Sequence, residues 1–124
     1  MQPNSIVLYV KDPRASAAFY SRLLGISPVE ASPTFVMFAL QPGMMLGLWI
    51  RSEVQPAVTS QPGGAELVIA VDSRAVVEST LASWRAAGAA IAMEPAALDF
   101  GYGFVAQDPD GHRIRVFHPG EGSV

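Results

Sequence analysis

The sequence predicts an α+β protein made of two β-α-β-β-β modules whose mixed sheets face each other around a cleft. Three observations predict it: one element order occurs twice, a glycine ends the helix of each half, and a polar, proline-bearing stretch separates the halves. The expectation is one domain over 1–124, with halves at about 5–51 and 65–119 and a connector over 52–64. One helix covers one face of each sheet, so the other face needs a partner, and facing sheets supply it with a concave site between them.

Ser5 to Val10 is an apolar run rich in β-branched and aromatic residues and reads as the first strand. Asp12 then Pro13 is a helix start, the carboxylate capping and proline occupying the first helical position. Ala15, Phe19 and Leu23 form an apolar stripe, and Gly25 supplies the left-handed stop. Strands are expected at Ile26 to Glu30, Thr34 to Leu40 and Met44 to Arg51, with Gln41-Pro42-Gly43 turning between the last two. Ser52 to Gly64, with two prolines and a terminal Gly-Gly, is the connector.

The second half repeats the order. Glu66 to Val71 is a strand, Asp72 the expected cap, and Ser73 to Ala87 a helix with Val77, Leu81 and Trp84 on its stripe, ended by Gly88. Ala90 to Met93, Gly103 to Gln107 and Arg113 to His118 are strands, the last two joined by the turn Asp108-Pro109-Asp110-Gly111. Val10 and Val71 end equivalent strands 61 residues apart, and Gly25 and Gly88 end equivalent helices 63 apart. The repeat lies in pattern, not in residue identity.

Composition narrows the function. Half the residues are hydrophobic and 15% charged, which excludes a disordered chain. A net charge of -3 with scattered basic residues gives no footprint for nucleic acid or an acidic membrane. No apolar run approaches the roughly 20 residues a spanning helix needs. The absence of cysteine excludes disulfides, thiolate nucleophiles and cysteine-held metal sites. Met1-Gln2-Pro3-Asn4 lacks the basic-then-apolar pattern of a signal peptide, so the expected location is the cytoplasm. No phosphate-cradling glycine loop, Rossmann fingerprint or Ser-His-Asp spacing is present.

The doubled pattern, with Tyr9-Val10-Lys11-Asp12, Phe19-Tyr20, Leu24-Gly25 and above all Asp108-Pro109-Asp110-Gly111-His112-Arg113-Ile114, resembles the vicinal oxygen chelate superfamily. That superfamily contains glyoxalases, extradiol dioxygenases, and bleomycin-binding and fosfomycin-resistance proteins, and the resemblance covers nearly the whole chain. Within it, Leu48-Trp49-Ile50 and the stretch from Glu94-Pro95 through Phe100-Gly101 to Ile114-Arg115-Val116 look like phenazine-resistance proteins, which bind an aromatic antibiotic without transforming it.

Most superfamily enzymes hold one divalent metal with His, Gln or Glu on the first and last strands of each half. Carried over, those positions fall on Ser5, Gly47, Glu66 and Arg115. Only Glu66 is a ligand type, and an arginine has no lone pair to give and brings like charge. The expectation is therefore no metal and no other cofactor. By strand alternation Val7 and Tyr9 share a face with Ser5, Met45 and Trp49 with Gly47, Val68 and Ala70 with Glu66, and Arg113 and Phe117 with Arg115. The expected ligand contacts are Tyr9, Met45, Gly47, Trp49, Glu66, Phe104, Arg115 and Phe117. Glu66 and Arg115 are expected to pair, an aromatic ligand to stack on Trp49 where Gly47 leaves room, and a ligand carboxylate to take the free edge of Arg115.

Other readings stand beside these. Trp49 is equally suited to filling core, the Glu66–Arg115 pair to a purely structural role, and the methionines to core packing. Trp84 belongs to the core, His112 to the surface, and His118 to the end of its strand. Asp99 to Gly103 reads as an ordinary loop, with a mobile flap as its alternative. The expected function is sequestration of a planar aromatic compound such as an antibiotic, by a homodimer as the resemblance implies. The alternatives are a metal-dependent lyase, isomerase or dioxygenase of the glyoxalase type, and a domain with a vestigial cleft.

Overall fold

A computed structural model describes residues 1–120. The chain forms two compact units, Met1–Gln61 and Pro62–Val124. The first contains β1 (Ser5–Val10), α1 (Pro13–Leu24), β2 (Glu30–Ala31), β3 (Phe35–Gln41) and β4 (Met44–Ile50), then a single 3-10 turn, Arg51–Glu53. The second contains β5 (Glu66–Ala70), α2 (Arg74–Ala86), β6 (Ala90–Leu98), β7 (Gly101–Gln107) and β8 (Arg113–Pro119). The α+β class and the doubled β-α-β-β-β order are those the sequence predicts.

Each unit has a four-stranded mixed sheet, ordered β1-β4-β3-β2 in the first and β5-β8-β7-β6 in the second. β1 runs parallel to β4 and β5 parallel to β8, and the remaining pairs are antiparallel. The parallel pairs need the helical crossover that α1 and α2 provide.

Local chemistry sets the helix bounds. Asp12 Oδ1 accepts from the amides of Arg14 and Ala15 at 3.1 and 3.3 Å, and Gly25, at φ 68°, donates its amide to the Ser21 carbonyl at 2.9 Å. For α2 the cap is Ser73, whose Oγ accepts from the Val76 amide at 3.1 Å, and not Asp72 one residue earlier. Its last turn closes through Ala89 N to Trp84 O at 3.0 Å across Gly88 at φ 91°. The buried stripe of α1 is also displaced from the expected one. Ala15 faces solvent, while Ser16, Phe19, Tyr20 and Leu23 turn inward.

Two strands differ from expectation, each at a proline: one is cut short and the other runs past it. Pairing of β2 begins only at Glu30, after Pro28, so the expected strand from Ile26 is reduced to an edge fragment. β6 runs well past Met93 because it is an edge strand that accommodates Pro95 within a register shift between Met93 and Ala96. It then turns into β7 through only Asp99 and Phe100, since Leu98 pairs with Gly101. The stretch read as a loop or flap is thus a tight hairpin end and the start of β7.

The core of each unit lies between its helix and one sheet face. In the first unit Val10, Val36, Phe38, Leu46 and Leu48 are buried on the sheet and Phe19, Tyr20 and Leu23 on α1. In the second Phe104, Ile114 and Val116 are buried on the sheet and Val77, Leu81 and Trp84 on α2. The rings of Trp84 and Phe104 meet edge to face at 5.6 Å.

Candidate binding site

Strand alternation leaves the face opposite each helix open, and the expected site residues distribute over those two open faces. In the first unit Tyr9 and Phe35 are both register partners of Trp49, one on each side, so three aromatic residues form a row across β1, β4 and β3. The Tyr9 and Trp49 rings meet edge to face, with centroids 6.3 Å apart. The next row is Val7, Gly47 and Met37, and the one after it Ser5, Met45 and Ala39. Tyr9 is 38% exposed and Val7 41%, so the face is apolar and accessible.

Gly47 does not leave the room expected of it. The Phe35 ring lies over it, its Cζ 2.8 Å from where a Cβ would stand. Phe35 is a contributor that sequence reasoning missed. The register shift between Ala39 and Gln41 separates its parity from that of Met44 onward, so the turn residues alone do not reveal its face.

In the second unit Arg115 and Glu66 form the expected ion pair. Nε donates to Oε1 and Nη2 to Oε2, both at 2.7 Å, a two-bond fork across β8 and β5. The pair is diagonal, because the direct partner of Glu66 is Arg113 and that of Arg115 is Val68. Phe100, from the β6–β7 turn, packs edge to face on Phe117 at 5.4 Å and lies 5.4 Å from the Arg115 guanidinium carbon. Phe100 is the second residue missed, for it sits at a turn whose tightness only the β6–β7 pairing reveals.

Arg115 holds the Glu66 carboxyl below its usual value near 4.5 through these hydrogen bonds; burial opposes this, and the charges of Arg115 and Arg113 add to it. The Arg115 guanidinium is held above its usual value, chiefly by the same hydrogen bonds. A carboxyl depressed in the fold contributes stability above its unfolded value, which is lost as pH falls through the folded value. Glu66→Gln is therefore expected to lower stability at pH 7 by about 1.5–3 kcal/mol, the scale of hydrogen bonds to charged groups. The gap between variant and wild type should close as pH falls below about 4. Melting temperatures from pH 3 to 7 check this, and a gap independent of pH would contradict it.

Phe104, expected among the ligand contacts, belongs elsewhere. It pairs with Val116 rather than with Arg115 or Phe117, points to the helix side and is 0% exposed. It is a core residue. His118 Nδ1 lies 3.1 Å from the Val71 carbonyl, and the His112 amide donates to Asp108 Oδ1 at 2.9 Å within the Asp-Pro-Asp-Gly turn.

The four positions that hold metal in the resembling enzymes do not fit one here. Gly47 offers no side chain, Ser5 Oγ bonds to Asn4 Oδ1 at 3.2 Å, and both Glu66 oxygens are occupied by Arg115. Among the described residues no cluster of three or more His, Cys, Asp or Glu is placed to hold an ion. Nor, among them, is any helix long and apolar enough to cross a membrane.

This architecture defines the class. The chain belongs to the Glyoxalase/Bleomycin resistance protein/Dioxygenase superfamily, whose family model matches residues 2–116. Among individual relatives, it is 29% identical over 117 residues to the phenazine antibiotic resistance protein EhpR of Enterobacter agglomerans, covering 92% of this chain and 89% of that one. A protein of Agrobacterium tumefaciens solved by solution NMR is 47% identical with a TM-score of 0.85, over 97% of this chain and 98% of that one. A crystal structure of a glyoxalase-related enzyme from Fulvimarina pelagi is 30% identical with a TM-score of 0.83, over 94% and 87%.

Proposed function

We propose that the protein is a homodimeric, cytoplasmic binder that sequesters a planar aromatic compound of the phenazine kind, without a metal and without transforming it. The observation that carries this reading is the aromatic row of Tyr9, Trp49 and Phe35 on an accessible sheet face. Flat rings on a rigid sheet offer large contact area at little entropic cost, and they favour a flat, largely apolar partner. Met45 beside the row gives an adaptable apolar neighbour. On the second unit Phe117 offers a further ring, and Glu66 and Arg115 neutralise each other where the metal enzymes keep donors. The relation to a phenazine antibiotic resistance protein supports the same ligand class.

Phenazine added to the protein should quench the emission of Trp49, which is part-exposed, and spare Trp84, which is buried against Phe104. Trp49→Ala should weaken phenazine binding, followed by equilibrium dialysis, by roughly tenfold or more. Unaltered binding by Trp49→Ala, or stoichiometric divalent metal in the purified protein by elemental analysis, would overturn the reading.

A further inference from the structure

We infer that the open face of the first unit selects a planar aromatic cation over neutral and anionic rings of the same shape, and that Glu30 reads the charge. This rests on the sequestration reading above and adds to it the sign of the ligand's charge. Every residue it uses lies within the first unit.

Glu30 enters through register. Val7, Gly47 and Met37 form one row across β1, β4 and β3, and Met37 pairs in turn with Glu30 of β2. Val36, next to Met37, is buried in the core, which fixes Met37 and its direct partner Glu30 on the open face. Glu30 is exposed and, among the described residues, makes no ion pair. It is also the one charged residue in the four strands of this sheet, for β1, β3 and β4 contain none. The cations that follow β1 and β4 in sequence stand outside the strands. Arg51 belongs to the 3-10 turn and its Nη2 donates to the Ser60 carbonyl at 2.6 Å, while Lys11 lies in the bend between β1 and α1.

The rings of this face act in the same direction as Glu30. Tryptophan, tyrosine and phenylalanine attract a cation through the negative potential of their π faces. The Phe35 ring lies over Gly47, and so in the row that Glu30 ends. Phe35 is also the diagonal neighbour of Glu30 across β3 and β2, about 7–8 Å away. A flat ring system resting on the aromatic row and reaching past Phe35 would meet the carboxylate at the sheet edge. A cationic ring gains there from both the π faces and the carboxylate. A ligand carboxylate would meet like charge, with no cation in the sheet to receive it.

The test uses equilibrium dialysis at pH 7 in the dark, on wild type and Glu30→Gln. The probes are N-methylphenazinium, neutral phenazine and 1-methylphenazine, and phenazine-1-carboxylate. Wild type should bind the cation roughly tenfold more tightly than 1-methylphenazine, and the carboxylate most weakly. Glu30→Gln should cut that preference to about threefold or less while leaving phenazine within about twofold. The share lost in Glu30→Gln should also shrink at high salt, because an exposed carboxylate is screened. A merely structural Glu30 would move all four probes alike. A wild type that binds the cation no better than 1-methylphenazine, or the carboxylate best of all, overturns the inference and leaves the sequestration reading standing. So does a cation preference unchanged in Glu30→Gln. Failure of all four probes to bind wild type overturns the two together.

Discussion

Phe104→Ala is expected to destabilise the protein by about 3–5 kcal/mol, a large part of the total stability of a domain this size. The ring is fully buried and meets Trp84 edge to face, so truncation removes both its transfer free energy and an aromatic contact while leaving a cavity between α2 and β7. Phe117→Ala, on the open face of the same sheet, should cost about 1 kcal/mol or less. Urea unfolding separates them: the midpoint of Phe104→Ala should fall steeply at unchanged slope, while that of Phe117→Ala barely moves. Equal losses at the two positions would mean that the assignment of faces on β7 and β8 is wrong.

Gly103→Ala should be comparably severe for the opposite reason. A Cβ there would stand 2.3 Å from the Val116 carbonyl oxygen and 2.7 Å from the Phe117 Cβ. Both obstacles belong to the strand that β7 pairs with, so relief requires β7 and β8 to part. The expected cost is about 3 kcal/mol or more, at the upper end of overpacking effects. Gly47→Ala is the informative comparison. There the obstacle is the far end of the Phe35 ring, which can swing aside, so the cost should be about 1 kcal/mol. That substitution should alter the aromatic row more than the stability. Thermal unfolding of both variants checks the order, and a milder Gly103→Ala than Gly47→Ala would contradict it.

The contrast between these residues marks how far the sequence could be read. Asp12, Pro13 and Gly25 specify α1 at both ends because each acts through its own backbone chemistry. The Glu66–Arg115 pair was legible because a carboxylate and a guanidinium on paired strands have a strong reason to meet. Phe104 was misplaced although the signal was there. Gln107 pairs with Arg113 across the Asp-Pro-Asp-Gly turn, which carries Phe104 opposite Val116 and away from Arg115. Phe35 and Phe100 were hidden, the one by a register shift and the other by a hairpin of two residues without the usual glycine signal. That Glu66 bypasses its direct partner Arg113 for Arg115 shows only in the side-chain geometry itself.

β6 has one more consequence, for the company the second sheet can keep. Its outer rim carries Pro95, which has no amide hydrogen, and two breaks in register, between Ile91 and Met93 and between Met93 and Ala96. A newcomer seeking to extend the sheet there would find donors and acceptors at uneven intervals and on a bent backbone. The rim works as a selvedge, a finished border on which weaving stops. Any lengthening of this sheet by another strand is left to its far side, along β5.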